Sequence, residues 1–163
     1  MSTTTRTTHE TTISAPPDLP VVVIERDFDA PPDRVFQAWT DADLFDRWSG
    51  PRSVTTTIAE WDARTGGAYR FANLRDEEEI ARFYGSFHEV RPGERIVWTF
   101  TWEGYPDGVS LETMTFTPVG DGGTRVVSTS VVDTMEARDQ MVASGMDTGV
   151  IEGYEKLDEL LAG

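Results

Sequence analysis

Between Arg26 and Pro51 the chain reads RDFDAPPDRVFQAWTDADLFDRWSGP, and no other stretch constrains the fold as tightly. The run opens as the end of an alternating strand, turns through Pro31-Pro32 into a short amphipathic helix, and restarts after Thr40-Asp41 as a second helix ending at Trp48. Val35, Phe36 and Trp39 share one helical face by their three- and four-residue spacing. Asp33 sits in the first turn, where the helix dipole favours an anion. Pro32 is tolerated near a helix start because it needs no intrahelical amide bond there. Phe45 and Trp48 repeat the apolar spacing on the second helix. A strand followed at once by two short helices, and then by a long run of strands, is an uncommon chain order.

The first strand reads as Val21–Phe28, and after the helices the spans 54–61, 68–74, 80–90, 95–103, 109–117 and 124–132 follow as six more, rich in Thr, Val, Ile and aromatic residues. Their connections hold Thr65-Gly66-Gly67, the charged cluster Arg75-Asp76-Glu77-Glu78-Glu79, Pro92-Gly93, Pro106-Asp107-Gly108 and Gly120-Asp121-Gly122-Gly123. These are turn sequences and a solvated hairpin tip. The expectation is a seven-stranded antiparallel sheet, a meander after the first strand. From Thr134 the period changes: Thr134 can cap a helix running to about residue 161, weakened near Ser144-Gly145. Val142, Met146, Val150, Tyr154, Leu157 and Leu161 step by three or four along one face, on a helix of ~40 Å at ~1.5 Å per residue. Such a helix can lie across the whole sheet, which makes the chain α+β.

Further motifs, in order, are WDARTGGAYRF at 61–71, GSFHEVRPGERIVW at 85–98, GDGGTRVV at 120–127, and Gly153-Tyr154 followed by Leu157 and Leu160. Together with the opening run, their order and spacing resemble proteins related to the C-terminal domain of the activator of the heat-shock protein 90 ATPase. That group lies in the START-like (SRPBCC, Bet v 1-like) superfamily. The resemblance covers roughly residue 21 to the C-terminus. It implies a helix-grip fold, an antiparallel sheet wrapped around a long C-terminal helix, in a superfamily whose members bear pockets. The domain is expected over 19–163, behind a polar, Thr-rich tail at 1–18 that is expected to be mobile.

At 163 residues the chain is long enough to bury one substantial core. Its formal net charge is −15, and Arg far outnumbers the single Lys, Lys156. An acidic surface repels nucleic-acid phosphate and anionic lipid, so neither is an expected partner. No apolar stretch approaches the ~18 residues a membrane span needs, and the N-terminus has no apolar secretory core. The absence of cysteine excludes disulfides and thiolate chemistry and agrees with a cytoplasmic home. A monomer or a homodimer is expected.

Only two histidines exist, His9 in the tail and His88 mid-strand, so a zinc site built on two or three histidines is out. Neither a nucleophile elbow nor a phosphate-cradling Gly-rich loop is present, and no metal or cofactor is expected. Strand alternation is more informative. Ile96, Trp98, Phe100 and Trp102 share one face, Tyr69 and Phe71 another with Asn73 beyond them, and Glu112 goes with Met114 and Phe116. On the last strand Val126 places Ser128 and Ser130 inward, although Val127, Thr129 and Val131 make an equally apolar alternative. Polar groups projecting into an aromatic concavity must meet each other, water or a ligand. Gly145, Gly149 and Gly153 recur every four residues along the helix, either for close packing on bulky Trp side chains or to leave room for a ligand.

Three functions follow as expectations. The first is a protein holding a small apolar or aromatic molecule between sheet and long helix, lined by Trp48, Tyr69, Phe71, Trp98, Trp102, Glu112, Met114, Ser128, Met146, Val150 and Tyr154. The second is a cyclase, dehydratase or hydrolase acting on an aromatic or polyketide-like substrate, with Glu112 or His88 as acid or base. The resemblance implies a third, a co-chaperone stimulating the heat-shock protein 90 ATPase. A chain with one domain and no room for the activator's N-terminal half fits that reading least.

Overall fold

The computed structural model describes residues 9–163; residues 1–8 of the expected tail lie outside the described residues. The elements run β1 Thr12–Ser14, β2 Val21–Phe28, α1 Pro32–Thr40, α2 Ala42–Trp48, β3 Thr55–Trp61, β4 Ala68–Arg75, β5 Glu78–Arg91, β6 Arg95–Trp102, β7 Ser110–Val119, β8 Gly123–Val131, α3 Met135–Ala143 and α4 Met146–Ala162. All strands join one antiparallel sheet in the order β1-β2-β8-β7-β6-β5-β4-β3. The meander from β3 to β8 is extended on its β8 side by β2, which pairs with β8 and β1 and not with β3, the strand that follows it in sequence.

The opening run folds as its pattern dictates. Pro31 caps α1 with Pro32 just inside it, and Val35, Phe36, Ala38 and Trp39 are buried. Asp41 ends α1 and caps α2, accepting from the Asp43 amide at 2.9 Å. The two helices meet each other through Trp39 and Trp48, 4.6 Å between ring centroids, and meet the sheet through Phe45 to Trp61 at 4.8 Å and Phe36 to Phe116 at 5.2 Å. Trp48 and Trp61 each donate their indole N–H to a helix carbonyl, Ala38 O at 2.8 Å and Thr40 O at 2.7 Å, so neither polar edge is left unpaired.

Two expectations need correction. The sheet has eight strands, not seven. The additional one, β1, lies inside the Thr-rich stretch; it pairs Ile13 with Ile24, and Ile13 packs against the core. Three residues with one hydrophobe are too short to show a period of two. The single long helix is in fact two helices. Thr134 caps α3 as expected, accepting from the Ala137 amide at 3.0 Å, but Gly145 adopts φ +85° and separates α3 from α4. That left-handed conformation suits glycine and interrupts the helical ladder. The break rotates α3 out of the expected stripe, leaving Val142 47% exposed while Met141 turns inward.

An ion pair ties α4 to β2. Arg26, only 3% exposed, binds Asp158 through both terminal nitrogens, one contact being 2.7 Å, and its guanidinium lies 4.8 Å from the Phe28 ring centre. Among the described residues no helix is long and apolar enough to cross a membrane.

Candidate functional site

The concave face of the sheet and α4 do not close on each other completely. A cavity of about 820 Å³ lies between them, bounded also by α2 and the segment that follows it. This volume is in the range of small-molecule sites, ~300–1,000 Å³.

Strand alternation builds its floor. Trp98 on β6, Glu112 and Met114 on β7, and Ser128 and Ser130 on β8 all line it. The ladder sets these side chains next to each other, because Trp98 opposes Glu112 and Glu112 opposes Ser130. On β8 the inward set is therefore Thr124, Val126, Ser128 and Ser130, all buried, with Val131 exposed on the far face. Phe71 with Asn73 on β4, and Phe83 and Phe100, form a wall, while Met146, Val150 and Tyr154 on α4, with Trp48 on α2, close the opposite side. Trp102 is 51% exposed and stands at the rim.

At the floor the Glu112 carboxylate accepts three hydrogen bonds. Trp98 Nε1 donates to Oε1 at 2.7 Å; the hydroxyls of Ser130 and Ser110 donate to Oε2 at 3.0 and 3.3 Å. Burial raises the Glu112 pKa above the usual carboxylate range, and these three donors, which favour the charged form, offset it only in part. Burial likewise pushes the Tyr154 phenol up, and the Glu112 charge adds to the effect, since a second anion beside the first is disfavoured.

Two residues singled out from sequence lie elsewhere. Tyr69 is packed beneath the floor, 5.0 Å from the Trp98 ring, with its hydroxyl donated to Thr99 O at 2.6 Å. It supports Trp98 and does not line the cavity. His88 is exposed, at a bulge where the β5–β6 register shifts between Phe87 and Glu89, and is outside the cavity. Of the lining residues not singled out, Ser110 shares the Glu112 face two residues upstream, a signal that alternation carries. Met141 had no such signal, because its position depends on the break at Gly145.

The three helix glycines serve different ends. Gly145 makes the break; at Gly153 a β-carbon would stand 3.1 Å from Trp48 O, so α4 approaches α2 closely there. Gly149 lines the cavity, and a β-carbon on it would meet only Pro51, at 3.6 Å. Among the described residues no three His, Asp or Glu side chains gather to hold a metal ion.

A family model described as "Activator of Hsp90 ATPase homolog 1-like protein" matches residues 29–162. Among solved structures, a protein from Rhodobacter sphaeroides is 28% identical with a TM-score of 0.85, covering 94% of this chain and 99% of its own. Protein Ms6760 from Mycobacterium smegmatis is 25% identical with a TM-score of 0.83, over 93% of this chain and 97% of its own. Protein CV1439 from Chromobacterium violaceum is 26% identical with a TM-score of 0.75, over 88% and 98%. No curated protein matches the chain.

Proposed function

From a chain that belongs to the activator of Hsp90 ATPase homolog 1-like family, within the START-like (SRPBCC) superfamily, we propose a protein that binds a small apolar or aromatic molecule between the sheet and α4. Membership brings the fold and no single activity with it. The observation that carries the reading is the cavity, whose walls are mostly rings and aliphatic side chains, with the hydrogen-bonded Glu112 carboxylate at the floor. Apolar surface on a ligand leaves water at ~25 cal/mol per Å² buried, and a few placed polar groups then set its orientation. Trp48 and Trp98 are close enough to the space to report occupancy by fluorescence. Titration with naphthalene- or anthracene-sized compounds should quench tryptophan emission at micromolar concentration and raise the melting temperature. A varied panel of such compounds that leaves both signals unchanged rejects the reading.

The raised pKa of Glu112 supports a second reading, in which the same cavity runs a cyclase-, dehydratase- or hydrolase-type reaction with Glu112 moving the proton. His88, exposed outside the cavity, is not placed for that task. Under this reading Glu112→Gln abolishes turnover while ligand affinity stays within about tenfold. A binder has no turnover to lose.

A further inference from the structure

The charges around the cavity are one-sided. Of its 28 lining residues only Glu112 and Glu152 are carboxylic acids, and none is Lys, Arg or His. Glu112 lies at the floor, where every side-chain partner is a neutral donor: an indole N–H and two hydroxyls. Glu152 lies on α4 and is anchored by the Arg52 backbone amide at 2.9 Å. A carboxylate has room for about four hydrogen bonds. Two of the three observed go to Oε2, so Oε1, which among the described residues holds only the Trp98 contact, keeps a free lone pair. Around this floor stand the rings of Trp98, Phe71, Phe100, Trp48 and Tyr154. Their negative faces attract an organic cation, most strongly where water is excluded.

We infer that the ligand of this cavity is an aromatic or aliphatic amine bound as its ammonium form, with the nitrogen on Glu112 Oε1 and the apolar body among the rings. The inference rests on the ligand-binding reading above and narrows it to a class. An ammonium supplies the counter-charge that the lining lacks. It also donates where Glu112 can still accept, in a charge-assisted bond. A ligand carboxylate would set a second anion beside Glu112, so one of the two would have to take up a proton to enter. A neutral alcohol donates a hydrogen bond but brings no charge, and falls between them. The net charge of −15 draws cations toward the protein from all sides. The preference assigned to Glu112 must therefore depend on that one residue.

Three ligands of matched size decide the matter: 2-naphthylmethylamine, 2-naphthylmethanol and 2-naphthoate, titrated at neutral pH with tryptophan fluorescence or calorimetry as readout. The amine should bind at least tenfold tighter than the carboxylate, with the alcohol between, and Glu112→Gln should shrink the gap to within about threefold. The wild-type order stands as a test even if that variant does not fold. Equal or tighter binding of the carboxylate overturns the amine assignment and leaves a binding protein. A full gap retained in folded Glu112→Gln also overturns it, tracing the preference to overall charge. If none of the three binds, the ligand-binding reading falls as well.

Discussion

The indole N–H of Trp98 points at Glu112 Oε1 across the β6–β7 ladder, 2.7 Å away, from the residue directly opposite. Ser130 opposes Glu112 on its other side, and Ser110 precedes it by two on the same strand. Each donor to the carboxylate is thus a same-face neighbour that the pleat itself supplies. No loop has to fold over to complete the network, so it is as rigid as the sheet. A carboxylate held in this way accepts a ligand group without first having to be organised.

Burial of Glu112 should be visible in the pH dependence of stability. Its ordinary pKa of 4.5 is raised in the fold. As pH rises past that ordinary value the unfolded chain loses the proton first, while the folded state keeps it. Unfolding free energy therefore falls with rising pH up to the folded pKa, by at most ~1.4 kcal/mol per pH unit. Glu112→Gln has no such slope, so in urea denaturation it should gain on wild type as the pH rises above the ordinary carboxylate value, and the gain should level off once Glu112 has lost its proton in the folded state. Other carboxylates cancel in the comparison. Wild type gaining on the variant over that range would mean that the three donors outweigh desolvation.

Asp158→Ala should cost about 3 kcal/mol, because it leaves the Arg26 guanidinium buried without its counter-ion. For a chain of this size the melting temperature would fall by roughly 6–12 °C. Replacing both partners, as in Arg26→Met with Asp158→Leu, should recover much of the loss. A single variant that melts within a degree or two of wild type would show that the Asp27 carbonyl, 2.9 Å from Arg26 Nη1, and the Phe28 ring suffice to hold the charge.

The sequence-based reading and the structure part company at particular residues, each with a physical cause. Turn chemistry and alternation marked β2 to β8, both short helices and the inward set on β6 and β7, since Trp98 and Phe100 on the one and Met114 and Phe116 on the other identify the face. On β8 alternation alone was ambiguous: the cavity face carries Ser128 and Ser130, and the opposite face carries the more apolar Val127, Thr129 and Val131. A strand that lines a polar spot in a cavity inverts the usual pattern of apolar inside and polar outside. β1 was hidden because one isoleucine among threonines has no readable period. The two-helix end was half-legible, since Ser144-Gly145 marks a weak point but not the φ of +85° that turns it into a break.

The β1 segment is tied down from two sides. Its three residues pair with β2, and the buried Arg138 donates to Pro16 O at 2.6 Å and Leu19 O at 3.1 Å. Deleting residues 1–17 removes Ile13 from the core edge and one of those two acceptors. The expected loss is about 1–3 kcal/mol in chemical denaturation, from one aliphatic side chain and a partly unpaired buried cation. An unchanged midpoint would mean that β1 is held by the rest of the sheet without stabilising it.

Gly149 offers a way to separate stability from binding in one position. Glycine within a helix costs ~1 kcal/mol relative to alanine, and a β-carbon here meets only Pro51, at an ordinary contact distance. Gly149→Ala should therefore stabilise by roughly 1 kcal/mol, raising the melting temperature by ~2–4 °C. A longer side chain grows from the same point into space that a ligand needs, because Gly149 lines the cavity beside Val150 and Met146. Gly149→Leu should keep most of the helix gain while weakening aromatic probes tenfold or more in the tryptophan fluorescence titration. Core substitutions usually lower stability and binding together, so a rise in one with a fall in the other identifies the glycine as room kept open for a ligand. A leucine variant that binds probes as wild type does would put the bound molecule elsewhere in the cavity, away from the start of α4.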